Sequence, residues 1–261
     1  MDLKVKEFIS YRYLLWAFTT RNIAIKYKQT VMGFVWAVFM PIVIVLSGIM
    51  VRQAMAIIAG TKLDFSHVIT VSVKALPWAF FVSAIKFAVG SLTANMNLVS
   101  KIYFPRAIFP LSYVFGALFD FVISALAFSV MFLIAGVGLS IHILWLPVYL
   151  LLLILLTSGL SMLLSCGNLF FRDVRYIVDV ILTFGIFFTP VFYEASLFGR
   201  FEILLLINPV GSILEGINQV VVLHKAPDYF WLTYAAVCSI LCFIWSWNVF
   251  HKTEPKFAEC I

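Results

Sequence analysis

Side chains with the chemistry for catalysis are few in this sequence and stand far apart. No GxxxxGK[ST] motif occurs, so the chain lacks the loop that cradles nucleotide phosphates. The histidines are single residues on separate segments, which leaves no cluster for a metal ion and no proton relay. They are His67, His142, His224 and His251. We predict that this chain carries no catalytic residue, no metal and no cofactor of its own.

Two ionisable residues, Lys86 and Asp120, lie inside apolar segments. Lys86 is ten residues before the predicted span end at Met96, and Asp120 is nine residues after the predicted span start at Leu111. At about 1.5 Å per residue, both are roughly 14 Å deep. Because an unpaired charge at that depth costs about 3 kcal/mol or more, we predict an ion pair between them. We favour a structural bond that fixes helix register over a direct part in function.

Aromatic residues crowd two of the apolar segments. They are Trp36 and Phe39 in the first, and Phe184, Phe187, Phe188 and Tyr193 in or after the fifth. Phenylalanine facing lipid is the ordinary reading. An aromatic lining would instead offer flat stacking faces to sugar rings, and we favour that reading slightly for Tyr193 and Trp36.

The segment NLVSKIYFPR combines bulky aromatic side chains with cations and a proline. Such a segment is usually a charged turn that ends a membrane span. A docking surface needs an exposed aromatic anchor with a basic rim, and this segment supplies both. Its candidate residues are Ser100, Lys101, Tyr103, Phe104, Pro105 and Arg106.

Composition defines the class of protein. The 261 residues are 64% hydrophobic and 11% charged, with a mean hydropathy of +1.08, too few polar residues to cover a water-soluble globule. The net charge of +6 comes from cations that flank apolar runs, which argues against a nucleic-acid partner. The sequence therefore predicts an all-α integral membrane protein that contacts lipid directly.

Apolar runs long enough to cross a bilayer predict six transmembrane helices. Their predicted ranges are 31–51, 76–96, 111–135, 146–166, 177–192 and 229–250. Residues 1–30 form an amphipathic interface helix that ends in a basic collar, residues 21–28, with the cations Arg21, Lys26 and Lys28. Residues 31–250 form the six-span core and residues 251–261 a cytoplasmic tail, all in one domain. Between the last two spans, 201–207 and 212–223 are too short to cross, which predicts a re-entrant outer hairpin.

The distribution of charge predicts the orientation. Predicted cytoplasmic segments hold twelve Lys and Arg residues and predicted outer segments hold five. Since cations are retained inside, six spans with both termini in the cytoplasm fit the sequence, and residues 52–73 form an outer loop.

Three ordered motifs carry a resemblance to a known family. They are IKYKQTVMGFVWAVFMP, FFRDVRYIVDVILTFGIFFTPVFY and INPVGSILEGI. The chain resembles, over essentially its whole length, the transmembrane subunit of ABC-type polysaccharide exporters, which move O-antigen, capsule or teichoic acid. It departs mildly at Asn22, where Asp is common, and at Met32, where Leu is usual.

The resemblance implies a homodimer joined to two copies of a separate ABC subunit that binds ATP and Mg. It places the path at the dimer interface between the first and fifth spans, and makes the N-terminal helix and residues 100–106 the coupling surfaces. The 197–223 hairpin would be the outer gate. A lipid-linked O-antigen crossing a bacterial inner membrane is the first choice of substrate, ahead of teichoic acid or capsule.

Two other functions remain open at this point. A carrier driven by protons or sodium usually shows intramembrane carboxylates or broken midplane helices, and here only Asp120 is central. A membrane-embedded glycosyl- or acyltransferase needs grouped catalytic side chains. The predicted outer loops offer only the isolated Glu194, Glu202 and Asp228.

Overall fold

A computed structural model describes residues 7–28, 30, 32–60, 65–101, 104–134, 136, 138 and 140–258. The regular elements in these ranges are all helical, and no strand occurs within them, which confirms the predicted all-helical class. In chain order the α-helices are α1 Arg12–Tyr27, α2 Val35–Ala59, α3 Phe65–Val89, α4 Ser91–Ala94, α5 Met96–Lys101, α6 Ile108–Ile134, α7 Leu146–Phe170, α8 Asp173–Gly185, α9 Glu202–Leu206, α10 Pro209–Val221 and α11 Tyr229–Thr253. Short 3-10 helices cover Ile141–Trp145, Ala195–Phe201 and Glu254–Ala258.

Five helical segments of the described chain are long and apolar enough to cross a membrane. They are Val35–Ile58, His67–Val89, Ile108–Val130, Ile141–Phe170 and Tyr229–Phe257. They match five of the six predicted spans, because an uninterrupted apolar run of this length is a strong sequence signal.

The fifth predicted span, 177–192, is wrong as a continuous helix. Helix α8 has 13 residues and ends at Gly185, and turns and bends follow as far as Tyr193. Pro190 has no main-chain N–H and disfavours helical geometry at the residue before it. The apolar composition of this segment therefore continues after its helix has ended.

The outer loop predicted over 52–73 is also wrong for most of its length. Helix α2 continues to Ala59 and α3 begins at Phe65. Arg52 and Lys74, placed by prediction in a loop, are instead inside these helices and buried. Charged residues inside a membrane helix pair with other charges or with carbonyls, and both residues have such partners.

Helix α3 occupies the centre of the fold. It packs against α2, α6, α7, α8 and α10, and α7 in turn packs against α11. In its most apolar stretch 78% of residues are buried, against 17% to 39% in the other four long helices. Those four helices therefore expose apolar faces that must meet lipid or another subunit.

Close packing of short helix α10 against α7 depends on a glycine. A Cβ atom at Gly216 would lie 2.3 Å from the ring of Tyr149, which is 1% exposed and has no room to move. Replacing Gly216 with Ala should lower the free energy of unfolding by about 1–3 kcal/mol through overpacking. Thermal unfolding of the purified full chain in detergent measures the change.

Gly90 provides the matched control, since it precedes α4 with a φ of −85° and a Cβ there would meet nothing within 4 Å. The Gly90→Ala change should stay within about 0.5 kcal/mol of the unchanged protein. Equal destabilisation by the two substitutions would contradict the packing account.

Candidate functional site

Four charged side chains meet where α2, α3 and α10 contact the segment that follows α8. This buried ion cluster contains Arg52, Lys74, Glu194 and Glu215. Arg52 pairs with Glu194 over 3.4 Å, and Lys74 with Glu215 over 3.1 Å. Lys74 is fully buried and Arg52 is 7% exposed. The two cations and two carboxylates balance in charge, as burial in an apolar interior requires.

The same cations also bind main-chain oxygens. We call residues 186–195 the post-α8 turn. Arg52 Nε donates to the carbonyl of Phe192 over 2.8 Å, and Lys74 Nζ donates to the carbonyl of Tyr193 over 2.5 Å. Carbonyls beyond a helix end have no partner in that helix, and leaving them unpaired at membrane depth is costly. The two cations supply donors there and so fix the turn against α2 and α3.

Side-chain bonds hold the turn from its other side. The Tyr193 hydroxyl donates to the carbonyl of Phe187 over 2.7 Å, and the Asn208 amide donates to the Thr189 hydroxyl over 3.0 Å. Asn208 also accepts from the main-chain N–H of Val210, which caps α10. The turn and the two short helices after it are therefore one connected unit.

The six aromatic residues predicted to line a path divide into two groups. Five lie on exposed faces, from 39% at Trp36 to 73% at Phe188, together with Phe39, Phe184 and Phe187. Tyr193 is only 9% exposed and packs against Phe198 at a ring separation of 4.8 Å. Its predicted place in an open lining is wrong, because its ring is buried, its hydroxyl bonds Phe187 within the turn and its carbonyl accepts from Lys74 of α3.

The basic collar at the end of α1 is bonded to its neighbours. Arg21 donates to the side-chain oxygen of Asn95 over 2.9 Å, and the Asn22 amide donates to the Ser112 hydroxyl over 2.9 Å. The Arg21 guanidinium also lies 4.5 Å from the centre of the Phe18 ring. These polar bonds hold α1 against α6 and the short helices before it.

Asp120 on α6 receives two donors from the collar. Lys26 Nζ and the Tyr27 hydroxyl each bond a different Asp120 oxygen over 2.5 Å. Burial, and then the bond to Asp120, raise the pKa of the Tyr27 hydroxyl, so it stays protonated and remains a donor.

The predicted Lys86–Asp120 pair is therefore wrong. Lys86 pairs with Asp179 on α8 over 3.5 Å, and Asp120 pairs with Lys26. Helix α3 ends at Val89 rather than Met96, so Lys86 is about 4 Å from its helix end while Asp120 is about 18 Å from the start of α6. The assumed equal depth does not hold.

The predicted docking segment differs from expectation at its aromatic anchor. Phe104 is 6% exposed and packs against Phe18 and Phe109 at ring separations of 6.3 and 5.4 Å, so it is not an exposed anchor. Pro105 is buried beside it. Tyr103 lies outside the described residues; Ser100 and Lys101 end α5.

Arg106 in this segment is bonded to the C-terminal end of α11. Its main-chain N–H donates to a Glu254 carboxylate oxygen over 2.8 Å, and its guanidinium donates to the Glu254 carbonyl. His251 bonds the other Glu254 oxygen over 2.8 Å. Sequence reasoning missed this link and the buried ion cluster. The signal available for Lys74 was its position within the apolar run VITVSVKALPW.

Three known proteins that are similar to this chain along its length carry the same name. The O-antigen export system permease protein RfbA of Myxococcus xanthus is 26% identical to this chain over 265 residues, with 98% of each chain covered. Two proteins of the same name from Klebsiella pneumoniae are 23% and 22% identical, with full coverage of both chains. No family model matches the sequence. The resemblance to polysaccharide-export permeases drawn from the three motifs is confirmed over the whole chain.

The buried ion cluster makes a strong prediction about stability. Replacing Lys74 with Met removes the donor to Tyr193 and leaves Glu215 buried without its cation, so the free energy of unfolding should fall by about 3–5 kcal/mol. Thermal unfolding in detergent measures this, and Lys225→Met, at an exposed lysine, should change little.

A second substitution separates lost charge balance from lost packing. Adding Glu215→Gln to Lys74→Met removes the stranded carboxylate, so part of the lost stability should return. A double variant no more stable than Lys74→Met would show that the pair is not the source of the effect.

Proposed function

We propose that this chain, a full-length relative of O-antigen export permeases, is the membrane-spanning subunit of an ATP-driven exporter of lipid-linked polysaccharide, with O-antigen as substrate. The observation that carries the proposal is the similarity to three such permeases across 98–100% of their length. The apolar helices agree with a multi-pass membrane subunit. The sequence contains no phosphate loop, so ATP and Mg would be bound by a separate subunit.

In the membrane, α8 and the post-α8 turn would together make a sixth crossing beside the five long helices. Both termini would then be in the cytoplasm, as the excess of cations at that side favours. Helix α1 would lie in the interface of the inner membrane. Its exposed side carries Tyr13 and Trp16, which suit the headgroup region, while Phe18 packs inward.

The post-α8 turn and the short helices after it would form the outer gate as a re-entrant hairpin. Non-helical backbone at membrane depth survives only where protein or a water-filled cavity shelters it. The buried ion cluster supplies that shelter, because Arg52 and Lys74 bond carbonyls of the turn and Glu215 is on α10. Movement of the gate would then be coupled to α2 and α3.

A homodimer would bring the exposed aromatic faces of α2, α8 and the post-α8 turn together around a path. Trp36, Phe39, Phe184, Phe187 and Phe188 all lie on such faces. Aromatic rings give rigid, apolar stacking surfaces for the faces of sugar rings. A lining without charged groups would hold each sugar weakly and let the polymer slide.

Two copies of the ABC ATP-binding subunit would dock near residues 100–106 and α1. Because Phe104 packs on Phe18 of α1, a push on this segment would move α1 directly. The Arg106–Glu254 bonds would pass the same movement to the end of α11.

A membrane-embedded transferase is less well supported by the geometry. Of the three outer carboxylates that it would need, Glu194 is paired with Arg52 and Asp228 caps the start of α11. Export of teichoic acid or capsule remains the alternative substrate assignment, since it uses the same architecture.

Deletion of the gene in a strain with no redundant exporter should abolish surface glycan while lipid-linked glycan accumulates inside. Re-expression of the chain together with its ATP-binding subunit should restore export. Re-expression with an ATP-binding subunit whose phosphate-loop lysine is replaced by alanine should not restore export, because that subunit no longer binds the ATP phosphates. Surface glycan is measured by antibody binding to intact cells, and permeabilised cells are the control that reports the glycan retained inside. Unchanged surface glycan after deletion would refute the proposed function.

A further inference from the structure

A cavity of about 520 Å³ lies between α1, the end of α3 and α6. Its charged lining residues are Arg21 and Lys26 from the collar and Asp120 from α6. Asn22 and Asn95 add amides to the polar part of the lining. The proposed export function uses none of these groups, so the cavity needs an explanation of its own.

The charges of the lining do not cancel. Two cations face one carboxylate, which leaves a net charge of +1. Lys26 is already paired with Asp120, which also accepts the Tyr27 hydroxyl. Among the described residues, the Arg21 side chain donates only to the neutral side-chain oxygens of Asn95 and Asn22, at 2.9 and 3.5 Å. The uncompensated charge of the cavity therefore belongs to Arg21.

Arg21 also has an unused hydrogen-bond donor. Its Nε–H is buried and has no acceptor in the described part of the chain. A buried donor without an acceptor is destabilising, so such groups are nearly always bonded in folded proteins. The Arg21 guanidinium therefore has a full charge, no carboxylate partner and an incomplete set of acceptors, and a phosphate group accepts charge-assisted hydrogen bonds from a guanidinium in that state.

The edges of the cavity are apolar and exposed. Ile25 on α1 is 70% exposed and Phe87 on α3 is 52% exposed, and both line the cavity. A ligand that fits therefore has an anionic head for the polar interior and a hydrocarbon part that can lie along these side chains. A soluble anion would leave the apolar edges uncovered.

We propose that this cavity binds the phosphodiester head group of an anionic membrane lipid and that Arg21 recognises the phosphate. The proposal rests on the interfacial position of α1 but not on the transported substrate. The lipid would join α1 to α3 and α6 at the place where the collar is bonded. The helix that receives the movement of the ATP-binding subunit would thus depend on the lipid around it.

The test uses the purified full-length chain in detergent. It is titrated with a short-chain phosphatidylglycerol, with the phosphatidylcholine of the same chain length, and with inorganic phosphate, and bound lipid is counted by native mass spectrometry. One phosphatidylglycerol should bind per chain and saturate. Arg21→Gln should weaken its binding about tenfold, the effect of one lost charge-assisted hydrogen bond.

Arg175→Gln is the matched control, because Arg175 is an exposed cation on α8 that does not line the cavity. Its affinity for phosphatidylglycerol should equal that of the unchanged protein. Equal affinity of Arg21→Gln and the unchanged protein would overturn the proposal. Displacement of the lipid by inorganic phosphate at the same concentration would also overturn the proposal, because it would show that the cavity is a site for a soluble anion.

Thermal unfolding without added lipid shows whether Arg21→Gln is folded. If it is not, Arg21→Lys retains the charge but lacks the planar guanidinium, and it should still bind phosphatidylglycerol several-fold more weakly. Unreduced binding by a folded Arg21→Lys would then decide against the proposal. The assay contains no ATP-binding subunit and no glycan, so its failure would leave the proposed function untouched, and failure of export would leave the lipid site untouched.

Discussion

Buried positive charge is the constraint on which this fold depends. Lys74 is completely buried in the central helix and Arg52 is nearly so in its neighbour. Each must find a carboxylate and further acceptors, since an unpaired charge in an apolar interior would cost more than the fold can supply. They find them in Glu194, Glu215 and the carbonyls that follow α8. One electrostatic requirement thereby fixes four separate segments of the chain.

The opposite side of the fold follows the same rule with different residues. Asp120 on α6 is satisfied by Lys26 and Tyr27 from the collar, and Arg106 is bonded to Glu254. Ion pairs and hydrogen bonds therefore join the helices to one another and to the segments between them, while apolar packing surrounds α3. An aromatic surface on α2, α8 and the post-α8 turn is among the faces that stay uncovered, and it is the surface that an exporter would place around its cargo.

The sequence predicted the all-helical class and five spans because long apolar runs are local signals. It did not predict the end of α8 at Gly185, since Phe187, Phe188 and Val191 continue the apolar composition past the helix. The partners of Arg52 and Lys74 are 119 to 142 positions away, and no local pattern indicates them. Lys86 and Asp120 were recognised as needing partners, but the choice of partner depended on helix ends that composition alone misplaced.

In the proposed exporter, the exposed aromatic surface faces a water-filled path rather than lipid. The four native cysteines, at 166, 238, 242 and 260, are first replaced by serine. A single cysteine is then introduced at one of two exposed positions, as Phe188→Cys in the post-α8 turn or as Leu241→Cys on α11. A membrane-impermeant thiol reagent is added to membranes containing the ATP-driven complex during turnover. Because a thiol reacts only when it can ionise in water, Phe188→Cys should react about tenfold faster than Leu241→Cys. Equally slow reaction at both positions would contradict the account.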